Sequence, residues 1–267
     1  MTTFNYIEEN GAIGSTNILE CYRINNISKL VFITSDKCYL NLDKNKNYKE
    51  TDILGGLDNY SSSKASAELI FSSYFNSYFK NKDYLSTVSA RAGNVIGGGD
   101  MKINRIVPDI IKSLFNNESL ILRNPKATRP WQHVLEPLSG YLNLAMHLNE
   151  SNELHGEAFN FGPPAYKNHS VANLVTQMSQ HWDRVHWQDI SQKEDEPYES
   201  GLLKLNCDKA LQHLKWHAIW DFERTVQETI DWYRIFYEKP EIIAEQSKVQ
   251  IRCYQQDAKK YGLPWAQ

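Results

Sequence analysis

The stretch LVFIT, residues Leu30–Thr34, decides the fold class of this sequence. It is a run of β-branched and apolar residues bounded by polar ones, which predicts a strand buried on both faces, as in a parallel sheet. Helical patterns flank it at about Ile13–Asn25 and Ser61–Phe79, and a second strand pattern follows at Thr87–Ala90. This order of helix, strand, helix and strand predicts an α/β protein with a mainly parallel sheet.

The same alternation continues along the chain before it weakens. Helical patterns at Ile106–Phe115 and Leu138–Leu148 alternate with strand patterns at Leu120–Leu122 and Ala158–Phe161. From about Pro163 the alternation of helix and strand patterns is less regular, with polar loops and tryptophans. A long helical pattern follows at Phe222–Tyr237. We therefore predict a first domain over residues 1–162 and a smaller lobe over residues 163–267, with residues 97–135 partly in the lobe.

Composition narrows the class of protein. Hydrophobic residues make up 41% and charged residues 23% of the 267 positions, which is typical of a folded globular chain. With 29 basic and 32 acidic residues the net charge is −3, so the basic surface of a general nucleic-acid binder is not expected. No run is apolar enough to span a membrane and the first residues lack a signal-peptide layout, so we predict a cytoplasmic protein without a membrane partner.

Metal and disulfide chemistry are not indicated by the sequence. The four cysteines are scattered without a CxxC pair, so we interpret them as reduced thiols. His213 and His217 have helical spacing but no third ligand follows, and we predict no metal site. Gly97–Gly99 matches neither the P-loop nor the dinucleotide fingerprint, and we interpret it as a flexible turn.

Tyr60 and Lys64 form the first candidate chemical pair, four residues apart near the start of a predicted helix. Residues at this spacing share one helix face, where a nearby ammonium favours the phenolate form of tyrosine and suits it to acid–base work. The same spacing recurs at Tyr78 and Lys82, which we interpret as a solvated helix face. The first pair differs because it follows a polar turn at the carboxyl end of a strand, where open α/β sheets bind ligands.

That polar turn begins with Ser35, Asp36 and Lys37, directly after the apolar strand. All three side chains can hold or move protons, which suits a catalytic site. A turn that simply ends the strand explains the same residues equally well, and the spacing does not decide between these two interpretations.

Several longer motifs surround these residues. They are Thr34–Tyr39 (TSDKCY), Tyr60–Lys64 (YSSSK), Arg91–Asp100 (RAGNVIGGGD), Arg123–Pro125 (RNP), Thr128–Tyr141 (TRPWQHVLEPLSGY), Asn160–Pro163 (NFGP) and Glu196–Leu205 (EPYESGLLKL). Together they resemble the extended short-chain dehydrogenase/reductase superfamily, and more narrowly the CDP-glucose 4,6-dehydratases. The resemblance covers nearly the whole chain. It implies a Rossmann-like, doubly wound NAD-binding domain over residues 1–162 and a substrate-binding lobe over residues 163–267.

The resemblance also implies a reaction, in which NAD serves as an internal hydride shuttle and a nucleotide-glucose becomes its 4-keto-6-deoxy derivative. By this analogy Tyr60 takes the proton of the 4-hydroxyl, Lys64 assists it and binds the nicotinamide ribose, and Ser35 hydrogen-bonds the reacting oxygen. Asp36 would protonate the leaving 6-hydroxyl. Lys37 stands where the related dTDP-glucose dehydratases have a glutamate base, and it would take the proton of carbon 5 in its neutral form.

Binding residues follow from the same resemblance. It places Thr34 at the cofactor together with the tyrosine and lysine of the YSSSK motif. Asn94 resembles the substrate-contacting asparagine of the superfamily. Arg105, Arg129 and His133 would meet the diphosphate and the nucleotide, a role that suits the bidentate hydrogen bonding of arginine.

Two departures from the family pattern concern the cofactor. Gly11 stands where the family has an asparagine, if Gly14-Ser15 is aligned with the usual Gly-Thr. The GxxGxxG turn that receives the NAD pyrophosphate occurs nowhere in the sequence, and the first three strands of the fold have no counterpart. We therefore expect about the first quarter of the family's length to be missing, and the Rossmann-like sheet to be incomplete with an edge at Leu30–Thr34. NAD binding should be weak without the pyrophosphate turn.

The sequence thus predicts a CDP-glucose 4,6-dehydratase-like lyase that supplies sugars for surface polysaccharide such as lipopolysaccharide O-antigen. One alternative is a nucleotide-sugar epimerase or reductase on the same scaffold, but an epimerase needs no dehydration acid and base, which disfavours it given Asp36 and Lys37. A second alternative is a non-catalytic remnant that binds nucleotide sugar or is completed by a partner chain or a missing N-terminal segment. The resemblance also implies a homodimer through paired helices that include the one bearing Tyr60.

Overall fold

The computed structural model describes residues 9–25, 27–42, 46–102, 105–116, 118–122, 124–182, 187–189 and 203–267. The helices in these ranges are Gly14–Ile24 (α1), Asn59–Tyr74 (α2), Ile106–Asn116 (α3), Leu135–Glu150 (α4), Val171–Ser179 (α5), Asp208–Leu214 (α6), Phe222–Glu238 (α7) and Ile243–Lys260 (α8). The strands are Lys29–Ile33 (β1), Asn47–Tyr48 (β2), Ser86–Ala92 (β3), Val95–Ile96 (β4), Leu120–Leu122 (β5), Thr128–Arg129 (β6), Gln132–His133 (β7), Ala158–Phe161 (β8), His169–Ser170 (β9), Trp187–Asp189 (β10) and Lys204–Leu205 (β11). Short π-helical segments lie at Glu9–Ile13 and Phe75–Phe79, and 3₁₀ turns at Asp36–Cys38, Pro240–Ile242 and Pro264–Ala266.

The chain forms two compact units, each built from separate stretches of sequence. The first comprises residues 1–93, 137–164 and 203–217, and the second comprises residues 94–136, 165–202 and 218–267. Residues 203–217 belong to the first unit, although the sequence-based division assigns them to the C-terminal lobe. The boundaries of functional domains stay a prediction.

The first unit is built on a parallel sheet in the order β1, β3, β8. Leu30 pairs with Thr87 and Ala90 with Phe159, so β3 is the central strand, and all seven of its residues are buried. This confirms the predicted α/β class with a parallel sheet. The expected burial of β1 on both faces is wrong, because Phe32 alone of its five residues is buried and Ile33 is 54% exposed.

Helices α1 and α2 pack on the sheet of the first unit through aromatic and aliphatic side chains. Leu19 and Tyr22 of α1 and Phe71 of α2 share one buried cluster with Phe32 of β1. The rings of Phe32 and Phe71 stack with their centroids 5.4 Å apart. This packing fixes α2 beside the end of β1, where the polar turn begins.

The second unit has its own core around α3, α5 and α7. Its buried apolar residues include Ile110, Leu122, Leu174, Val226 and Ile230. Among the described helices, none is long and apolar enough to cross a membrane. The buried core of the second unit thus consists of side chains from these three helices and from short strands.

The glycine run of the second unit agrees with the expected turn, whereas the C-terminal helix corrects an expectation. The structure confirms a turn at Gly98–Gly99. A Cβ on Gly98 would lie 2.0 Å from Cδ2 of Trp232, so this turn packs closely against an indole ring. Helix α8 at Ile243–Lys260 was not predicted, because its buried side is a narrow stripe that includes Tyr254 and Ala258.

Glu136 is a buried carboxyl that gives the second unit a pH dependence. Its oxygens accept hydrogen bonds from the backbone N of Trp220 (2.7 Å), the backbone N of Ile219 (3.1 Å) and the hydroxyl of Tyr254 (2.7 Å). Burial nevertheless raises the pKa of Glu136 from 4.5 to about 7. Because the pKa is raised in the folded state, protonation favours folding. This stabilisation is complete below the unfolded-state pKa and is lost as the pH rises through about 7.

We expect Glu136→Gln to become more stable relative to the wild type as the pH rises, because the amide keeps an acceptor oxygen and carries no charge. The relative gain between about pH 5 and about pH 8 should be about 2.5 kcal/mol, at about 1.36 kcal/mol per unit of pKa. Urea unfolding of both proteins at the two pH values measures it. An equal difference at both would show that Glu136 does not titrate in this range.

Candidate active site

The polar turn that follows β1 is held by its own serine. The backbone N of Thr34 donates to the carbonyl of Ala90 (2.8 Å), which carries the sheet one residue beyond β1. Ser35 caps the 3₁₀ turn, since its Oγ accepts a hydrogen bond from the backbone N of Lys37 (3.2 Å) and donates one to Oδ1 of Asp36 (3.0 Å). Asp36 is only 2% exposed. The turn therefore presents a buried carboxyl beside a hydroxyl, and a partly exposed amine one residue further on.

Gly93 and Tyr141, two residues that sequence reasoning did not select, interact with Asp36. A Cβ on Gly93 would lie 2.0 Å from Oδ2 of Asp36, so the carboxyl occupies the space that any other side chain would need. Tyr141 is near enough to feel the charge of Asp36. Burial raises the pKa of Tyr141 well above its ordinary value, and the charge of Asp36 raises it further. The signal for both residues was their place inside the RAGNVIGGGD and TRPWQHVLEPLSGY motifs.

We expect Gly93→Ala to destabilise the first unit by about 1–3 kcal/mol, as overpacking of a buried site usually does. The methyl group can be accommodated only if the carboxyl of Asp36 or the backbone moves. Urea unfolding measures the loss. Gly162→Ala is the matched control in the same unit, because its Cβ would meet Cys207 and Leu205 at an ordinary 3.7 Å. Equal stability of the two variants would contradict this account of Gly93.

Helix α2 brings the tyrosine and lysine of the YSSSK motif to the same region. Asp58 caps the helix, accepting hydrogen bonds from the backbone N (2.9 Å) and Oγ (2.6 Å) of Ser61. Burial acts to raise the pKa of Asp58, but these hydrogen bonds and the charge of Lys37 lower it overall. The Nζ of Lys64 lies 5.5 Å from the ring centroid of Tyr60. The structure thus brings the turn that carries Lys37 to the start of the helix that carries Tyr60 and Lys64.

The second tyrosine–lysine pair has different surroundings. Tyr78 lies in a π-helical segment and is 49% exposed, close to the 45% exposure of Tyr60. Its ring contacts the guanidinium of Arg23, and the Nζ of Lys82 lies over the ring of Tyr84. The pair is therefore not placed against the polar turn and serves as an internal comparison for Tyr60.

A cavity of about 670 Å³ lies within the second unit, a size suited to a small-molecule ligand. Its polar lining includes Asn94, Asp100, Arg105, Asn124 and Arg129. Apolar side chains complete the wall, among them Ile96, Val107, Pro108, Leu122, Ala127 and Trp131. Two arginines beside an apolar wall can bind a ligand that has an anionic part and a flat or apolar part.

Three of the predicted substrate residues meet at this cavity. Asn94 has a positive φ of 52°, a left-handed conformation that asparagine tolerates better than most residues. Arg129 is buried and its guanidinium donates to the carbonyl of Thr128 (2.9 Å). Arg105 is exposed and pairs with Asp100 at 2.9 Å. One guanidinium is therefore fixed in the wall and the other lies at the solvent side.

His133 does not line the cavity but lies directly behind it. A Cβ on Gly97, a lining residue, would be 3.7 Å from Nε2 of His133. Burial, together with the charge of Arg224, lowers the pKa of His133 to about 3, so the imidazole is neutral. Its ring packs edge-on against Trp220 with the centroids 4.8 Å apart. The assignment of His133 to the substrate stays a prediction, as do the roles of the other site residues. Arg123 and residues 196–202 of the EPYESGLLKL motif lie outside the described residues.

Comparison with known proteins gives a consistent set of relatives. The family model described as GDP-mannose 4,6 dehydratase matches residues 3–229. A CDP-glucose 4,6-dehydratase of Salmonella typhimurium is 41% identical over 228 residues, which are 83% of this chain and 63% of that protein. A dTDP-D-glucose 4,6-dehydratase of Dictyostelium discoideum is 26% identical over 144 residues, 50% of this chain and 32% of that protein. The chain thus spans less than two thirds of the length of these relatives.

Solved structures show the same fold at low identity. The dTDP-glucose 4,6-dehydratase of Bacillus anthracis, in complex with NAD, has a TM-score of 0.70 and 22% identity, over 85% of this chain and 68% of that chain. The UDP-glucuronic acid 4-epimerase of Bacillus cereus, in complex with UDP-glucuronic acid and NAD, has a TM-score of 0.73 and 16% identity, over 86% of this chain and 68% of that chain. These likenesses confirm the predicted Rossmann-like fold.

Proposed function

This chain belongs to the GDP-mannose 4,6 dehydratase family, and from that premise we propose that it carries the acid–base residues of a CDP-glucose 4,6-dehydratase. The observation that carries the proposal is the buried carboxyl of Asp36, hydrogen-bonded by Ser35 and followed by Lys37, beside the helix of Tyr60 and Lys64. The 41% identity to the Salmonella CDP-glucose 4,6-dehydratase supports the choice of substrate.

Each of these residues has one task in the proposed reaction. Tyr60, as a phenolate stabilised by the ammonium of Lys64, takes the proton of the sugar's 4-hydroxyl and becomes a neutral phenol. Ser35 donates a hydrogen bond to the reacting oxygen at carbon 4. Lys37 in its neutral form removes the proton of carbon 5, and Asp36 in its protonated form gives a proton to the 6-hydroxyl, which leaves as water. An epimerase would need neither of these last two groups.

The residues present fit the nicotinamide end of NAD. Tyr60 is accessible, and the ammonium of Lys64 is partly exposed beside the tyrosine ring, where it can hydrogen-bond a ribose hydroxyl. Thr34 lies at the end of β1, next to this helix. When bound, NAD supplies the acceptor and donor of the hydride that leaves carbon 4 and returns to carbon 6. The residues of this chain hold and move the protons.

We further propose that the cavity of the second unit binds a nucleoside diphosphate. Arg129 supplies positive charge for a diphosphate, Arg105 lies in the same lining in its ion pair with Asp100, and the apolar wall with Trp131 suits the flat face of a base. Asn94 contributes an amide that can bind a sugar hydroxyl. The product would supply deoxysugar synthesis for surface polysaccharide, and we place the reaction in the cytoplasm, where nucleotide sugars and NAD are available.

Incubating the native protein with CDP-glucose and a saturating concentration of NAD, which offsets the weak binding expected without the pyrophosphate turn, tests the proposal. We expect a product lighter than the substrate by one water, with a carbonyl at carbon 4 of the sugar. Mass spectrometry and nuclear magnetic resonance identify both features. A product of unchanged mass that is epimeric at carbon 4, or CDP-glucose that is bound and never converted, would overturn the proposal.

A further inference from the structure

An ion pair is buried directly behind the candidate catalytic turn. The guanidinium of Arg91 in β3 pairs with the carboxylate of Glu68 in α2 at 2.7 Å, and the two side chains are 5% and 2% exposed. Burial of two charges costs several kcal/mol per ion, so such a pair is a poor way to gain stability. Its presence between a central strand and a helix therefore suggests a requirement for geometry.

The ion pair holds both ends of the polar turn. On one side the hydroxyl of Thr34 donates to Oε1 of Glu68. On the other side Arg91 donates to the hydroxyl of Tyr39 (2.8 Å). Thr34 and Tyr39 directly flank Ser35–Cys38, the turn that carries the candidate acid and base. The turn is thus anchored on each side by one member of a single charged pair.

The same pair also fixes the helix that carries the candidate tyrosine. Tyr60, Lys64 and Glu68 follow one another at intervals of four residues, so they lie along one side of α2. Ser89 of β3 also donates to Oε2 of Glu68 (3.0 Å), which ties this side of the helix to the central strand. One carboxylate therefore locates both the helix and the start of the turn.

A second layer of hydrogen bonds supports the arginine end. The hydroxyl of Tyr39, which accepts from Arg91, donates to Oδ1 of Asn160 (2.7 Å) in β8. The amide of Asn160 donates to the carbonyls of Tyr48 (3.0 Å) and Asn206 (3.1 Å). Burial raises the pKa of Tyr39 well above its ordinary value, so the phenol stays protonated and can serve as donor and acceptor together.

We propose that Glu68 and Arg91 are positioning residues, which set the Ser35–Lys37 turn at its working distance from Tyr60 and Lys64. This inference rests on the proposed function for its catalytic consequence. Neither residue needs to touch the substrate. They keep Asp36, Lys37 and Tyr60 at fixed positions relative to one another. Small displacements of reacting groups lower the reaction rate by large factors.

Glu68→Gln is the first test, since it keeps the shape of the side chain and removes its charge. We expect kcat for dehydration of CDP-glucose to fall about 100-fold while KM changes little, because the nucleotide is bound elsewhere. We also expect amide hydrogen exchange in residues 34–39 to become faster than in the wild type. Unchanged exchange in this segment would overturn the proposal.

Ser139→Ala is the matched control for a general loss of stability. It removes the acceptor of the buried hydrogen bond from Nε1 of Trp216 (2.9 Å) in the same unit, and that hydrogen bond involves neither member of the ion pair. We expect this variant to lose stability and to keep both kcat and the exchange rate of residues 34–39. A 100-fold loss of kcat in this control would show that Glu68→Gln acts through stability only, and would overturn the proposal.

The double variant Glu68→Met with Arg91→Met separates positioning from stability in a second way. Replacing both members of a buried pair by apolar residues is often neutral for folding. We expect the double variant to be more stable than Arg91→Met alone, because no unpaired charge is left buried, and still to show low kcat and fast exchange in residues 34–39. Recovery of kcat along with stability would overturn the proposal.

The exchange measurement needs no substrate, so the two proposals can fail separately. If the native protein does not dehydrate CDP-glucose but Glu68→Gln still loosens residues 34–39, the proposed function fails and the positioning role stands. If dehydration occurs and exchange is unchanged in Glu68→Gln, the positioning role fails and the function stands.

Discussion

Replacing Tyr60 with phenylalanine is expected to lower the turnover of CDP-glucose by about a hundred- to ten-thousand-fold, the usual worth of a positioned acid–base group. The variant loses one hydroxyl from a side chain that is 45% exposed, so the free energy of unfolding should change little. Steady-state kinetics with urea unfolding on the same preparation measures both quantities. The pattern expected is a large loss of kcat in a normally folded protein.

Tyr78→Phe is the matched control for this prediction. Tyr78 begins the second YxxxK sequence and has a similar exposure of 49%, but it contacts Arg23 and lies away from the polar turn. We expect its turnover to equal that of the wild type. Equal losses in Tyr60→Phe and Tyr78→Phe, or no loss in either, would contradict the role given to Tyr60.

Replacing Arg91 with methionine is expected to lower the free energy of unfolding by about 3–5 kcal/mol, because the carboxylate of Glu68 then remains buried without its cation. The variant also deprives the hydroxyl of Tyr39 of its charged donor. Chemical denaturation of wild type and variant measures the loss. A loss below about 1 kcal/mol would mean that the pair contributes no more than an exposed one.

Lys209→Met provides the comparison for the arginine variant. Lys209 pairs with Glu157 in the same unit, but Glu157 is half-exposed, so its carboxylate stays hydrated when the lysine is removed. Exposed pairs contribute at most about 1 kcal/mol, so this variant should unfold nearly as the wild type does. A loss as large as that of Arg91→Met would show that burial does not account for the difference.

The parts of the fold that could be predicted are those set by local sequence. The apolar run at Leu30–Thr34 and the alternation around it were sufficient for a parallel α/β sheet, because strand and helix periodicities are local properties. The tyrosine–lysine pair could be selected over its duplicate at Tyr78 because it follows a strand end. Its placement beside the polar turn agrees with that choice.

The parts that could not be predicted depend on partners distant in sequence. Glu68 looks like one more polar residue of a helix until Arg91 is found opposite it in a wholly buried strand. Asp36 leaves no room for a side chain at Gly93, and Trp232 leaves none at Gly98. The hydrophobic periodicity of the sequence carries no information about these contacts. A charged residue within the apolar pattern of a central strand was the available signal, since such a charge needs a buried partner.

The central claim, that this chain carries the acid and base of a dehydration and not of an epimerisation, is tested most directly by following one hydrogen. CDP-glucose labelled with deuterium at carbon 4 of the glucose is incubated with the native protein and NAD, and the label is located in the product by nuclear magnetic resonance. The proposed function predicts deuterium at carbon 6 of a 4-keto-6-deoxy sugar. Deuterium still at carbon 4, in a sugar that has kept its 6-hydroxyl, would contradict it.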